Sequence, residues 1–329
     1  MAYNNKIRTV ARTKWRKEQI FAMVVACIPL LGFIIFNGFP LIISFIGMFC
    51  NVDLYDLSNI QWNDFEGFKS VFVPRHAYDL FYFDLSKYFY KAILITLWIA
   101  STQLVTLLIA LVIATLLREK PNGAKLFQIL FFIPYICSTV AVSLMWRWIL
   151  DWEGGILNSI LGTDIKWLED PTTITWCIIL AIIWQAPGYG IVMYKAAFSN
   201  INNNLYEAAE LDGANVWQQY TKITLPYMLF VTGPSLLTSF INNLNNFNVI
   251  YLLTNGGNPI NTQIGSAGGV SVGHTDLLIT WLYKIALGSG ESRYYTASVI
   301  GILIFVVCAV LSLIVYNVIP STKNEEDYQ

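Results

Sequence analysis

Long apolar stretches constrain the fold of this sequence more than any other feature. A helix needs about 20 predominantly apolar residues to cross a lipid bilayer. Six stretches meet this requirement: residues 20–46, 91–117, 126–149, 174–195, 225–250 and 296–319. Only 12% of the residues are charged, whereas a soluble domain carries about 25%. The sequence therefore predicts an all-α integral membrane protein with six transmembrane helices.

The positively charged residues indicate how these helices are oriented. Lysine and arginine accumulate on the cytoplasmic side of membrane proteins. The segment before the first apolar stretch carries Lys6, Arg8, Arg12, Lys14, Arg16 and Lys17. With that segment in the cytoplasm, the segment 151–173 is external, and its five acidic residues outnumber its single basic residue, Lys166. We therefore expect a multi-pass protein of the plasma or inner membrane with both termini in the cytoplasm.

This topology divides the chain into regions. They are a cytoplasmic basic tail (1–19), a first transmembrane helix (20–46), an external loop (47–90), a transmembrane core (91–320) that includes a cytoplasmic loop (199–226), and a cytoplasmic tail (321–329). The external loop contains Trp62, Phe65 and Phe68, whereas flexible linkers are poor in aromatic residues. We therefore expect this loop to form a small ordered cap.

The reactive residues indicate no catalytic or metal site. The five cysteines are scattered singly and the chain has only two histidines, so no metal-ligand spacing is present. No nucleophile–base pair or pair of carboxylates stands out. The phosphate-binding pattern G-x-x-x-x-G-K-[ST] does not occur, so any nucleotide chemistry belongs to another polypeptide. The net charge of −1 gives no reason to expect a nucleic-acid partner.

The cytoplasmic loop 199–226 carries the signals of a short capped helix. Asparagines precede the core Tyr206-Glu207-Ala208-Ala209, and asparagine is a favoured N-cap. Gly213 is placed as a C-terminal cap. Pro226 stands at the start of the next apolar stretch, where proline is tolerated. Considered alone, this pattern predicts either a docking element or an ordinary amphipathic connector.

The spacing within this loop resembles that of the EAA loop of ATP-binding-cassette importer permeases. Glu207-Ala208-Ala209 is followed after three residues by Gly213, and after nine more by Ile223-x-Leu225-Pro226. The resemblance implies the type I importer permease fold, in which this loop is a coupling helix seated in a cleft of a separate ATPase subunit. It implies a coupling role for Glu207, Ala208, Ala209, Asp212 and Gly213. It also places ATP and Mg²⁺ on the ATPase, with no cofactor in this chain.

The fifth apolar stretch contains a polar run, Ser239-Phe-Ile-Asn-Asn-Leu-Asn-Asn-Phe-Asn248, in which five of the last seven residues are asparagine. Amides inside a membrane need hydrogen-bond partners. On a continuous helix, Ser239, Asn243 and Asn246 share one face, and the other three asparagines form a neighbouring stripe. The run fits hydrogen bonds between helices, and it also fits a polar lining for a hydroxyl-rich ligand.

The same run resembles the larger membrane subunit of maltose/maltodextrin transporters. So do the segments Leu252-Leu-Thr-Asn-Gly-Gly257, Gly273-His-Thr-Asp-Leu-Leu278 and Asp170-Pro-Thr-Thr173. This resemblance implies that five residues contact the sugar: Tyr135, Tyr189, Ser239, Asn243 and Asn246. The sequence departs from the family pattern at Ile182 and Ala186, where asparagine and glycine are expected, and these changes bear on which sugar is preferred.

The two resemblances together imply the partners of the chain. They are a second homologous permease subunit, a dimer of ATPase subunits, an extracellular sugar-binding protein and an oligosaccharide of the maltodextrin α-glucan type, with membrane lipid around the helices. The implied function is a permease subunit that couples ATPase closure to alternating access. On this reading the chain is a transport subunit and not an enzyme.

Three alternatives predict other features. An importer for another solute, such as a charged one, would favour counter-charges in the pore, and none is evident. Arg147, near the end of the third stretch, is expected to extend to the membrane interface. An ion-coupled secondary transporter would favour intramembrane carboxylates or inverted repeats. A membrane enzyme or scaffold would make the EAA spacing a coincidence.

Overall fold

The computed structural model of the chain describes residues 19–53, 56–72, 85–118, 121–258, 272–287 and 294–318, and the statements below concern these residues. Their elements in chain order are α1 (Gln19–Gly47), β1 (Cys50–Asp53), β2 (Asp56–Trp62), α2 (Glu66–Phe72), α3 (Leu85–Arg118), α4 (Ala124–Ile136), α5 (Thr139–Ile149), α6 (Ile156–Leu161), α7 (Ile174–Gln185), α8 (Pro187–Ser199), α9 (Asn203–Leu211), α10 (Val216–Gln219), α11 (Leu225–Leu244), α12 (Phe247–Thr254), α13 (Leu278–Leu287) and α14 (Tyr294–Val318). Apart from one short hairpin, the prediction of an all-α protein is confirmed.

Helices long and apolar enough to cross a membrane form the bulk of the described structure. The five candidate spans are Gln19–Gly47, Tyr88–Arg118, Ile174–Ser199, Val216–Thr254 and Tyr294–Ile314. They overlap five of the six predicted apolar stretches. The pair α4 and α5 makes a sixth span if the two helices are counted as one. The chain is therefore a multi-pass membrane protein.

The predicted span over 126–149 is formed by two helices rather than one. The pair α4 and α5 is bent by 96°. The bend follows Pro134, which lies inside the last turn of α4 and lacks the N–H that would continue the helical hydrogen bonds. Cys137 and Ser138 then adopt extended backbone angles, so the chain changes direction there.

The asparagine run does not lie on one continuous helix. Helix α11 ends at Leu244 and α12 begins at Phe247. The side-chain amide of Asn245 donates to the Ile241 carbonyl at 3.2 Å, and such bonds compete with the helical backbone pattern. Ser239 and Asn243 therefore share a helical face as predicted. Asn246 lies in the break between the two helices and lines the same cavity.

Helix α3 lies at the centre of the core, since it contributes to three separate apolar clusters. Its first part packs with Trp281, its middle with Ile178 and its last part with Ile191. A Cβ atom added to Gly190 would lie 2.8 Å from the Ala110 Cβ atom. The missing side chain thus lets α8 approach α3 closely, as small residues do in membrane bundles.

Most of α1 is not covered by the rest of the described chain. The apolar window of this helix is 0% buried, and Phe36 in its middle is 77% exposed. Apolar surface of this extent on a membrane helix needs membrane lipid or another membrane protein around it.

The described part of the first loop is folded, as its aromatic content predicts. Strands β1 and β2 form an antiparallel hairpin that pairs Cys50 with Trp62. The rings of Trp62 and Phe65 lie 5.9 and 5.7 Å from the ring of Phe49. These aromatic contacts fasten the hairpin to the end of α1, while residues 73–84 lie outside the described part.

A turn at Asp170 fixes the start of α7. Its carboxylate accepts hydrogen bonds from the backbone N–H of Thr172 at 2.8 Å and from its hydroxyl at 2.7 Å. These bonds favour the charged form and lower the pKa of Asp170. The Asp-Pro-Thr-Thr segment noted in the sequence therefore has a local structural role.

A buried ion pair fastens the segment around α13. Asp276 is 0% exposed, and the Nζ atom of Lys284 lies 2.8 Å from its carboxylate. The same carboxylate accepts from the Gly273 backbone N–H at 2.7 Å and from the Thr280 hydroxyl at 2.9 Å. Both carboxylate oxygens are thus satisfied, which holds this segment in one conformation.

Replacing Lys284 by methionine should destabilise the protein strongly, because the Asp276 charge would stay buried without its partner. Breaking a buried pair in this way costs about 3–5 kcal/mol, and thermal unfolding of the detergent-solubilised protein followed by tryptophan fluorescence measures it. Lys166→Met is the matched control, because its pair with Glu169 has side-chain exposures of 52% and 49%. Equal shifts in melting temperature for the two variants would contradict a stabilising role for the buried pair.

Candidate functional site

A cavity of about 840 Å³ lies where several helices are broken. Its wall is made by residues of α3, α4, α5, α7, α8, α11 and α12. The α4–α5 bend, the α7–α8 junction and the α11–α12 break all contribute residues to it. Its volume is typical of small-molecule sites, and broken membrane helices are tolerated where they line a cavity. Three interruptions of the membrane helices therefore meet at this cavity.

The five residues predicted to contact a sugar all line this cavity: Tyr135, Tyr189, Ser239, Asn243 and Asn246. They come from three different parts of the sequence, and the fold brings them together. Their role as ligand contacts stays a prediction.

Two tyrosines form one side of the cavity. The rings of Tyr135 at the end of α4 and Tyr189 at the start of α8 lie 5.6 Å apart at 32°, and both are exposed to the cavity. A Cβ atom added to Gly188 would lie 2.6 Å from the Phe131 carbonyl oxygen and 2.9 Å from the Tyr135 Cβ atom. Gly188 therefore lets α8 pack closely enough on α4 to bring the two rings together.

Asn243 ties α11 to α3. Its side chain is 5% exposed, and its amide nitrogen lies 3.3 Å from both the Ile99 carbonyl and the Thr102 hydroxyl oxygen. Its amide oxygen accepts from the side chain of Asn246 at 3.2 Å. For Asn243 the interpretation as a hydrogen bond between helices is therefore correct, and the residue shapes the cavity wall.

Other polar groups on the wall keep hydrogen-bonding capacity. The side-chain oxygen of Asn246 has no hydrogen bond to any described residue, and the same holds for the whole side chains of Asn242 and Asn248. Ser239 donates to the Ser235 carbonyl at 2.9 Å, which leaves its oxygen able to accept. Amides and hydroxyls of this kind suit a ligand that both donates and accepts hydrogen bonds.

Part of the wall was not predicted from the sequence. Gln103 and Thr106 of α3, Thr139 of α5, and Ser235 and Thr238 of α11 also line the cavity. Isolated polar residues inside an apolar stretch were the available signal, and Gln103 in the stretch 91–117 is the clearest example. The two departures from the family pattern, Ile182 and Ala186, lie on the wall as well.

The part of the wall that the structure describes has no acidic, lysine, arginine or histidine side chain. Its chemistry consists of amides, hydroxyls, aromatic rings and aliphatic surface. Aromatic rings pack against the apolar faces of sugars, and amides and hydroxyls bond their rims. The arrangement is suited to a neutral, hydroxyl-rich molecule.

The loop 199–226 forms the second region of interest, and its predicted caps are confirmed. The Asn202 side chain accepts from the Asn204 backbone N–H at 3.0 Å at the start of α9. Gly213 has φ of 77° after the helix end, and Ala214 donates to the Ala209 carbonyl at 2.9 Å, as in a glycine-terminated helix. The conformation of this short helix is thus fixed at both ends.

The structure places the five predicted coupling residues on the outer surface of this loop. Glu207, Ala208, Asp212 and Gly213 are exposed, and Ala209 is half-buried. The loop also exposes Leu211, Val216 and Trp217, at 89%, 82% and 72%. Exposed apolar patches of this kind mark protein contacts, so the loop has the surface of a docking element. Val216 and Trp217 were not predicted from the sequence.

Tyr206 connects this loop to the membrane helices. Its hydroxyl lies 2.8 Å from the Thr224 hydroxyl, just before α11. The Arg118 guanidinium carbon at the end of α3 lies 4.5 Å from the centre of its ring, within the range of a cation–π contact. The loop is therefore fastened to two membrane helices through one side chain.

Comparison with known proteins identifies a matching family model and proteins that are similar in sequence. A family model described as "Binding-protein-dependent transport system inner membrane component" matches residues 106–324. The maltose/maltodextrin transport system permease protein MalF of Vibrio vulnificus (strain YJ016) is 33% identical over 220 residues, 65% of this chain and 41% of that protein. The maltodextrin transport system permease protein MalC of Streptococcus pneumoniae (strain ATCC BAA-334 / TIGR4) is 28% identical over 300 residues, 88% of this chain and 66% of that protein. The chain thus spans two fifths of the first relative and about two thirds of the second.

Two solved structures share the fold. A bacterial alginate ABC transporter, crystallised with a periplasmic protein bound to an alginate pentasaccharide, has a chain of 24% identity and a TM-score of 0.68, with 94% of this chain and 96% of that chain covered. A bacterial ABC transporter involved in the import of the acidic polysaccharide alginate has a chain of 23% identity and a TM-score of 0.64, with coverage of 94% and 97%. These similarities identify the architecture of the bundle.

Proposed function

Because this chain belongs to the family of binding-protein-dependent transport system inner membrane components, we propose that it is the permease subunit of an ATP-driven oligosaccharide importer. In this role the chain is a transport subunit and catalyses no reaction. ATP and Mg²⁺ bind to a separate ATPase subunit, and closure of the ATPases changes the side of the membrane to which the cavity opens.

The observation that carries this proposal is the cavity at the helix breaks. Its tyrosine pair offers flat surfaces for a sugar ring, and Asn242, Asn246 and Asn248 offer amides for sugar hydroxyls. A neutral α-glucan of the maltodextrin type matches this wall better than an acidic polysaccharide does. An acidic sugar would favour cationic partners, and the described wall holds none.

The proposed partners follow from the family and from the loop 199–226. Binding-protein-dependent transport requires an external sugar-binding protein, and the exposed apolar residues of the loop fit a cleft in one subunit of an ATPase dimer. A second homologous permease completes the pore. The coupling residues are Glu207, Ala208, Ala209, Asp212 and Gly213.

The proposed orientation places both termini and the loop 199–226 in the cytoplasm. Arg118, at the basic end of α3, contacts Tyr206 of this loop, so the two lie on the same side of the bundle. Positive charge at membrane-helix ends favours the cytoplasmic side. The regions 47–90 and 151–173 are then external, as are the tip of α12 and the segment around α13.

Copurification tests the assembly. We expect the tagged chain, extracted gently from native membranes, to carry a second permease and an ATPase in stoichiometric amounts. Reconstituted with its binding protein, the complex should take up maltodextrins only with ATP on the ATPase side. A chain that purifies alone and transports without ATP would instead support an ion-coupled carrier.

Asn246→Leu should lower sugar uptake, because it removes the amide oxygen that is free to bind a sugar hydroxyl. Loss of one such hydrogen bond costs about 0.5–1.5 kcal/mol, so we expect a roughly two- to tenfold loss in initial uptake rate at low sugar concentration. Asn317→Leu is the control, since Asn317 lies exposed near the end of α14. Normal uptake by a normally expressed Asn246→Leu protein would remove this residue from the proposed site.

A further inference from the structure

Three aromatic residues form a compact cluster beside the cavity. The rings of Phe247 and Tyr251 stack at 4.9 Å and 15°, and the ring of Tyr283 lies edge-on to them at 5.1 and 5.2 Å. We call Phe247, Tyr251 and Tyr283 the aromatic triad. None of its members lines the cavity described above.

The triad continues the surface of the cavity along α12. On this helix, Ile250 and Leu253 are buried in the core. The exposed Asn248 and the half-buried Phe247 and Tyr251 share the other side within an arc of about 100°. Asn248 lines the cavity, and Tyr251 stands about 4.5 Å further along the helix axis. In the proposed orientation, a molecule arriving from outside along this side of α12 meets the triad before the cavity.

The third ring is held in position by a rigid support. Tyr283 is 37% exposed, but its neighbour Lys284 is paired with the buried Asp276 at 2.8 Å. At the start of α13, the Leu278 backbone N–H donates to the Thr96 hydroxyl at 2.9 Å. Side chains that are already ordered lose little freedom when a ligand binds, so the triad is a preorganised surface.

We propose that the aromatic triad is a second sugar-binding subsite, which stacks against one ring of an oligosaccharide whose other end occupies the cavity. This inference rests on the proposed transport function. A pyranose offers an apolar face to the rings and a rim of hydroxyls to the tyrosine oxygens and to Asn248. The hydrocarbon of the membrane would satisfy the rings but not these polar groups.

A sugar must be long enough to occupy the cavity and the triad together, so the proposed subsite favours long sugars over short ones. Competition between a long and a short sugar tests this proposal. The complete importer in proteoliposomes, with its binding protein outside and ATP inside, is offered maltose and maltohexaose together. The measured quantity is the ratio of hexasaccharide to disaccharide uptake. Because both sugars arrive on the same binding protein, its own preference cancels when a variant is compared with the unchanged protein.

Tyr251→Leu and Tyr283→Leu should each lower this ratio roughly two- to tenfold, the effect of losing one aromatic contact of about 0.5–1.5 kcal/mol. Tyr283→Phe keeps the ring and should retain most of the ratio. Phe305→Leu is the control, since Phe305 is an exposed aromatic residue of α14 outside the triad, and it should leave the ratio unchanged.

Other results would overturn the subsite. Equal loss of both sugars would show that the triad supports the fold or a gate. Loss of the second permease from the purified Tyr251→Leu complex would show that the triad is a subunit interface. An unchanged ratio would show that no sugar touches it. Failure of the unchanged importer to take up either sugar would instead refute the transport function, and the subsite with it.

Discussion

Replacing Gly213 by proline should strongly lower the sugar transported per ATP hydrolysed while leaving the protein folded in the membrane. Gly213 has φ of 77°, whereas proline fixes φ near −65°. The change also removes the N–H that donates to the Glu210 carbonyl at 3.0 Å. The backbone at the end of α9 would then adopt another conformation. The surface proposed to contact the ATPase would change with it. We expect sugar transported per ATP hydrolysed to fall by about tenfold or more, since strain of this kind costs about 1–3 kcal/mol.

Gly162→Pro is the matched control for this prediction. Gly162 also has positive φ, at 63°, its N–H also donates to a helix carbonyl, and neither glycine has a neighbour within 4 Å of an added Cβ atom. It lies in the segment 151–173, on the opposite side of the membrane in the proposed orientation. If both variants lost uptake equally, backbone strain rather than the coupling loop would explain the result.

Replacing Gly188 by alanine should impair sugar uptake at a different step. The added methyl group would lie 2.6 Å from a backbone oxygen of α4 and 2.9 Å from the Tyr135 Cβ atom, so α4 and α8 must move apart. Overpacking of this kind costs about 1–3 kcal/mol. It would also separate the rings of Tyr135 and Tyr189, which form one side of the cavity. We expect about a tenfold or greater loss of uptake.

The control for this variant is Gly32→Ala, because an added Cβ atom on Gly32 in α1 meets nothing within 4 Å. ATP hydrolysis measured without sugar shows whether the contact with the ATPase is intact in this variant. The Gly188→Ala complex should keep its basal ATP hydrolysis, since α9 is unchanged. Normal uptake with Gly188→Ala would mean that the distance between the tyrosines is unimportant for transport.

The membrane helices could be predicted from the sequence, but their interruptions could not. Hydropathy measures whether a stretch is apolar enough to lie in lipid, and five of the six predicted stretches overlap a candidate membrane span. It carries little information about where a helix bends. Pro134 was a visible signal for the α4–α5 bend, yet Pro234 lies inside α11 and does not end it. Tertiary packing decides which proline interrupts a helix.

The candidate site was predicted where polar residues cluster and missed where they stand alone. Five asparagines in seven residues are conspicuous in an apolar stretch, and resemblance to a known pattern added Tyr135 and Tyr189. Gln103 and Thr106 are single polar residues on α3, a long helix, and only the fold shows that they meet the same cavity. The contact between Arg118 and Tyr206 joins residues that are distant in sequence, so spacing gave no signal for it.

The bonding of Asn243 determines which parts of the cavity wall are open to change. Its amide is already committed to α3 through the Ile99 carbonyl and the Thr102 hydroxyl. A substitution of Asn243 therefore removes hydrogen bonds between α11 and α3, and its main effect is on helix packing rather than on ligand preference. Asn242 and Asn248 line the same wall and are exposed, so they can be replaced without breaking a bond between helices. Divergence of substrate preference, in nature or by design, should therefore proceed through Asn242 and Asn248 while Asn243 stays fixed.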